Sequence, residues 1–110
     1  MNSKVGGLLG ICRRAGHLTV GFDAVKTLVL TGRAKLILFA ADVSEKTAKE
    51  IRFLTKETPC PTVCVSLTKT ALAAAIGLEK PVGVIATDDS GFAAAIQKHI
   101  PAELKEEDAL

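Results

Sequence analysis

The run KLILFAAD, residues 35–42, constrains the fold more than any other part of the chain. It is nearly continuous in apolar residues, where a strand with one wet face would alternate. Such a run marks a short strand covered on both faces, which requires a layer of structure above it and another below. Two further short apolar runs read the same way. TVCVS follows Pro61, and VGVIAT ends just before Asp88. Leu18–Val20 supplies a fourth, shorter strand.

Helical periodicity fills the gaps between these runs. Val5, Leu8, Leu9 and Cys12 recur at i, i+3, i+4 and i+7, so one helix is expected from about Ser3 to Ala15, with Gly16 at its C-terminal end. Phe22, Val25, Leu28 and Val29 mark a second helix, stopped by Gly32. Ser44 is placed to cap a third, with Asp42 and Glu45 near its positive end and Ala48, Ile51 and Leu54 turned inward. Thr68 caps a short alanine-rich helix carrying Leu72, Ala75 and Ile76. A closing helix starts near Ser90, with Phe92, Ala93 and Ile96 inward, and Pro101 interrupts it. Helices alternating with buried strands define an α/β class chain, a three-layer α/β/α sandwich around one four-stranded sheet. At 110 residues, one domain over residues 1–100 and an acidic tail over 101–110 are expected.

Composition excludes several functions. The chain has no Trp or Tyr and four Phe, too few rings for a sheet-face reader of single-stranded RNA. No apolar run approaches the roughly 18 residues that span a bilayer, so no membrane association is expected. Lys4 is not followed by an apolar segment with a cleavage site. A cytoplasmic address is therefore expected. The three cysteines, Cys12, Cys60 and Cys64, lack zinc-ligand spacing with either histidine and read as reduced, buried thiols.

Charge is distributed unevenly. Residues 1–41 carry Lys4, Arg13, Arg14, Lys26, Arg33 and Lys35 against Asp23 alone, while PAELKEEDAL carries four acids against Lys105. A basic first third with an acidic tail is the asymmetry of a nucleic-acid binder, although a solvated surface explains it equally well.

Enzyme chemistry has little to work with. Asp42, Asp88 and Asp89 fall at or just past strand ends, where functional residues of open α/β sheets gather. These residues also suit turns and helix starts. No Ser or Cys has a recognisable base partner, and neither GxxxxGK[ST] nor GxGxxG is present. His17 and His99 sit beside helix ends, where capping is the simpler role. The expectation is a non-enzymatic protein with no cofactor, no metal and no small-molecule substrate.

The segments LLGICRRAGHLTVG, TGRAKLILFAADVS, SLTKTALAAAIG and GVIATDDSGFAAAI together resemble the ribosomal-protein superfamily of L-seven-Ae and L-thirty-e, in particular its bacterial YlxQ-like branch. The resemblance covers about Leu8 to Ile96. It implies a mixed sheet and recognition of sharply bent, kink-turn RNA. The partners it implies are structured RNA, ribosomal RNA among them, and components of ribonucleoprotein particles. The family's helix-opening motif resembles G-x-N-E-x-x-K. Here Gly21 is followed by Phe22, then by Asp23 at the asparagine position, Ala24 at the glutamate position and Thr27 at the lysine position. Lys26 stands one residue early. Asp23 only accepts hydrogen bonds and repels phosphate, while favouring its own helix and offering Lys26 an i, i+3 partner.

By the same resemblance, the second recognition segment carries Leu67, Thr68 and Lys69. Leu67 packs either on an extruded base or on the core. Arg13 and Arg14 either contact phosphate or cap their helix. Arg33 and Lys35, flanking the start of the strand that follows the second helix, complete the expected RNA surface. The function expected is a small ribosomal-protein-like RNA binder in a ribosome or translation context. The alternative is a protein-interaction module that keeps the fold without kink-turn recognition, favoured by Leu30, which the helical wheel sets off the Phe22–Val25–Val29 face.

Overall fold

The computed structural model describes residues 3–100, so the acidic segment 101–110 lies outside the described residues. The elements run in the order α1 (Ser3–Arg14), β1 (Leu18–Val20), α2 (Phe22–Leu30), β2 (Leu36–Phe39), α3 (Glu45–Leu54), β3 (Thr62–Cys64), α4 (Lys69–Ala75), β4 (Val84–Thr87) and α5 (Ser90–Lys98). The strands form one sheet in the order β1-β4-β2-β3. β4 pairs antiparallel with β1 and β2, and β2 pairs parallel with β3. The sheet is mixed, as the family resemblance implies.

β2 and β4 are central and buried at every residue. Their alternate side chains divide the core into two halves. Leu36, Leu38 and Ile85 point to one face, where Leu9 of α1, Leu72 of α4, the Ile76 that follows α4 and Ile96 of α5 cover them. Ile37, Phe39, Val84 and Ala86 point to the other, covered by Val25 and Val29 of α2 and by Ala48 and Ile51 of α3. The doubly apolar run of residues 36–40 is thus explained: each face of the strand meets a helical layer.

Local chemistry sets most helix ends. The Ser44 hydroxyl accepts from the Thr47 amide at 3.1 Å, that of Thr68 from the Ala71 amide at 3.2 Å, and the Asp89 carboxylate from the Phe92 amide at 2.8 Å. α1 closes with the Gly16 amide donating to the Arg13 carbonyl and the His17 amide to that of Cys12. That bond pair is a Schellman motif, and it needs the left-handed backbone that Gly16 adopts at φ 83°. His17 therefore caps α1 with its backbone, which frees its imidazole for another partner.

Gly21 is the most demanding backbone position among the described residues. At φ 97° and ψ 157° it occupies a region that only glycine visits readily. Its amide donates to the Val84 carbonyl and its own carbonyl accepts from Val25, both at 3.0 Å, so the geometry is held from two sides. Gly21→Ala is expected to destabilise the protein by about 1–3 kcal/mol, although a Cβ there would meet nothing within 4 Å. Gly7, exposed within α1 with equally open space, provides the control. Gly7→Ala is expected to stabilise by about 0.5–1 kcal/mol. Urea unfolding of the two variants checks both signs, and equal effects would refute the backbone argument.

Candidate nucleic-acid interface

The strand ends divide the expected RNA-binding residues into two groups. At one end of the sheet, Gly21 hydrogen-bonds to Val84 at the start of β4. The neighbouring Ala40 amide donates to the Gly83 carbonyl at 2.9 Å, the Ala41 amide to Leu67 at 2.8 Å, and the Val82 amide to Lys69 at 3.1 Å. These bonds tie the N-terminus of α2, the segment 82–84 and the loop 67–69 into one surface. The stem of Lys69 lies across Gly83, its Cδ 3.6 Å from where a Cβ would stand.

Arg33 and Lys35 lie elsewhere. The Lys35 amide donates to the carbonyl of Thr87, the last residue of β4, at 2.8 Å. Four residues of strand, roughly 10 Å, separate this end from Gly21. Arg33 Nη2 sits 3.2 Å from Asp88 Oδ2, and His17 Nδ1 is 3.0 Å from Asp88 Oδ1. The structure therefore does not gather Lys26, Arg33, Lys35 and Lys69 around one site. Sequence proximity to α2 suggested that grouping. The length of α2, about 13 Å at 1.5 Å per residue, prevents it.

The arginines after α1 have a structural use as well. Arg13 Nη1 donates to the carbonyl of Ile76 at 3.1 Å, and Ile76 is the C-terminal cap of α4. Arg13 thus caps a neighbouring helix rather than its own. Arg14 is exposed, its Nη1 lying 3.5 Å from where a Cβ on Gly10 would stand.

Asp42, expected near the positive end of α3, instead accepts from the Lys69 amide at 2.7 Å and so supports the first turn of α4. Asp88 pairs with His17 and Arg33, and Asp89 caps α5. Each of the three carboxylates therefore has a structural partner. Below this cluster Cys12 is fully buried, donating its thiol to Thr87 Oγ1 at 3.4 Å. Burial pushes the Cys12 thiol above its ordinary range; the hydrogen bond to Thr87 opposes that rise, and the charges of Asp89 and Asp88 add to it. Cys60 and Cys64 are half-buried rather than buried, and burial likewise raises Cys60.

Around the start of α2 the surface is open. Gly21 offers no side chain, and α2 has no side-chain N-cap, unlike α3, α4 and α5. The first-turn amides and the positive end of the helix dipole thus lack a side-chain acceptor. A groove of about 740 Å³ runs past this terminus, with Val20, Gly21 and Phe22 on one wall and residues 77–83 on the other. Leu78 is half-buried there, while Glu79, Lys80 and Pro81 are exposed.

The segment 78–81 was not among the residues singled out in the sequence. Its one signal was GLEKP, a turn composition between a helix and a strand, which carries no pointer to the distant Gly21. Thr68 is used as the cap of α4, and Thr27 lies exposed one turn into α2. Leu67 packs against the core cluster beneath α4, which supports its core reading. Asp23 and Lys26 form no ion pair: those found among the described residues join His17 and Arg33 to Asp88 and Asp89. Lys26 Nζ instead lies 6.0 Å from the centroid of the Phe22 ring.

A three-layer sandwich with the sheet order β1-β4-β2-β3 and an open α2 terminus defines a protein of the ribosomal L-thirty-e type. The chain belongs to the Ribosomal protein L7Ae/L30e/S12e/Gadd45 family, whose model matches residues 3–97. It is 36% identical over 86 residues to the RNA-binding protein YlxQ of Bacillus subtilis (strain 168), a span covering 78% of this chain and 84% of that protein. Among solved structures, a protein of unknown function from Bacillus halodurans C superposes with a TM-score of 0.82 at 28% identity, covering 89% of this chain and 97% of that one. The Giardia lamblia 15.5kD RNA binding protein superposes with a TM-score of 0.73 at 19% identity, covering 88% and 84% of the two chains, a likeness of fold alone.

Proposed function

We propose that this chain is a non-enzymatic, cytoplasmic RNA-binding protein of ribosomal-protein type that recognises structured, sharply bent RNA in a ribosome or translation context. The observation that carries the reading is the groove between the uncapped start of α2 and residues 77–83. Free amides at a helix N-terminus favour a phosphate, and Gly21 lets the RNA backbone approach. Lys26 on the helix, Lys69 across Gly83 and Lys80 in the facing loop supply mobile positive charge around it. The family membership and the RNA-binding name of the Bacillus subtilis relative point the same way. Asp23, Ala24 and Thr27 stand where the family motif has side chains suited to reading bases, so affinity here rests more on phosphate contacts than on base readout.

A second reading keeps the fold as a protein-interaction module, and one observation favours it. Leu30 is 58% exposed on α2, away from the groove.

One experiment separates the two readings. Binding of a standard kink-turn RNA duplex is measured for the wild type, for Leu30→Asp, and for the triple variant Asp23→Asn, Ala24→Glu, Thr27→Lys. The RNA reading expects Leu30→Asp to bind as the wild type and the triple variant to bind several-fold tighter. A correctly folded triple variant with unchanged affinity removes the α2 terminus from the RNA surface. Absence of RNA binding in all three, even at low salt, leaves the interaction module.

A further inference from the structure

A second groove, about 310 Å³ in volume, lies between α2 and α3 and is lined by Phe22, Lys26, Lys49, Glu50, Phe53 and Leu54. Phe53 is 67% exposed, the most exposed large apolar side chain among the described residues, in a chain with four phenylalanines and no other benzenoid ring. Both rings at this groove carry a lysine. Lys26 Nζ is 6.0 Å from the Phe22 centroid, and Lys56 Nζ is 5.6 Å from that of Phe53. None of Lys26, Lys49, Lys56 and Glu50 belongs to an ion pair found among the described residues. The groove thus presents aromatic faces, two lysines and a single carboxylate to solvent, with Lys56 beside the Phe53 ring as a third cation. Phe22 also borders the first groove, so the two surfaces are continuous across the start of α2.

From this the geometry points to a nucleotide subsite: the α2–α3 groove takes one unpaired nucleotide of the bound RNA, its base stacked on Phe53 and its phosphate held by the lysines. The inference rests on the RNA-binding reading and extends it from the α2 terminus onto the face between α2 and α3. The groove's volume is at the small end of those that hold ligands, enough for one nucleotide rather than a helix of a partner protein. Base stacking on an exposed ring is tolerant of sequence because every base has a π-face. Glu50 adds a preference. A carboxylate only accepts hydrogen bonds, and guanine offers it two adjacent donors on its Watson–Crick edge, where uracil offers one. The lysines supply the charge complementarity for phosphate that an uncharged apolar peptide would lack.

The test uses the full chain and a standard kink-turn duplex, either blunt or bearing a short single-stranded overhang, UGU or UUU, on either end. The UGU overhang is expected to tighten wild-type binding by roughly 5- to 150-fold, the range of one base–aromatic stack. Phe53→Ala should erase that increment and leave blunt-duplex affinity unchanged. Glu50→Gln should retain the increment and narrow the gap between UGU and UUU. Because Phe53 is exposed, its truncation leaves the core intact.

Equal wild-type affinity for blunt and overhung duplexes overturns the subsite and leaves the first groove's RNA role standing. If the blunt duplex fails to bind, guanosine monophosphate is titrated while the amide signals of residues 49–54 are followed by NMR. Shifts there, lost in Phe53→Ala, sustain the subsite while the kink-turn reading falls, and unmoved signals overturn both. An effect of Phe53→Ala on self-association in sedimentation, with RNA binding untouched, overturns the subsite in favour of a protein contact.

Discussion

Raising salt from 50 to 250 mM is expected to weaken binding of a kink-turn duplex by roughly 30- to 80-fold. Each phosphate neutralised by a lysine releases condensed counterions, and log K falls with log salt by about 0.7–0.9 per contact. Lys80 lines the groove at the start of α2, Lys69 lies across Gly83 in its wall and Lys26 stands one turn into the helix, while Arg33 and Lys35 sit at the other end of β4. Three contacts give a slope of about −2 to −3, and fivefold in salt then gives the stated loss.

The variants sharpen the argument. Lys69→Ala and Lys80→Ala should each flatten the slope by nearly one unit and weaken different RNAs alike, because phosphate contacts position without specifying. Lys35→Ala should leave the slope unchanged. A flat response in the wild type contradicts phosphate recognition. A slope that falls with Lys35→Ala and not with Lys69→Ala moves the interface to the opposite end of the sheet.

The other large effect is on stability. Phe39→Ala is expected to cost about 3–5 kcal/mol, the range for truncating a fully buried aromatic. Phe39 is 0% exposed, the largest fully buried side chain among the described residues, and it stands under α2 and α3 in the core half that forms the floor of both helices. The guanidinium of Arg52 lies 5.2 Å from its ring centroid, so the truncation removes a cation–π contact as well.

Against a typical total of about 5–15 kcal/mol, this loss takes roughly a fifth or more of the stability and should lower Tm by more than about 10 °C. Phe53→Ala, the very next residue after Arg52 yet exposed, should change stability by less than about 0.5 kcal/mol. Calorimetry of the two variants makes the comparison. A loss below about 1 kcal/mol for Phe39→Ala would mean that the α2–α3 layer is not packed on β2 as described.

Of the candidate interface, the sequence showed one wall. Gly21, Phe22 and Lys26 stood out because a glycine before a helical period is a local signal, and Lys69 stood out through the neighbouring family motif. The facing wall, residues 78–81, is some fifty residues farther along the chain and is brought opposite Gly21 only by the pairing of β1 with β4. Proximity in the chain groups Arg33 and Lys35 with Lys26, and it cannot register that a helix carries its two ends apart.

By itself the sequence determined what acts within a few residues. Alternating helical and strand periods specified a sandwich with both sheet faces covered. Ser44, Thr68 and Gly16 set helix ends through bonds spanning three to five residues, and the run at 36–40 marked the centre of the sheet. Tertiary structure alone decided which distant groups meet. Asp42, beside α3 in the chain, serves α4; Arg13, on α1, also caps α4; and Asp88 joins His17 to Arg33. The physical reason is that a cap or an apolar period is satisfied by its own segment. The partner of a long polar side chain depends instead on strand order, and no single segment encodes that order.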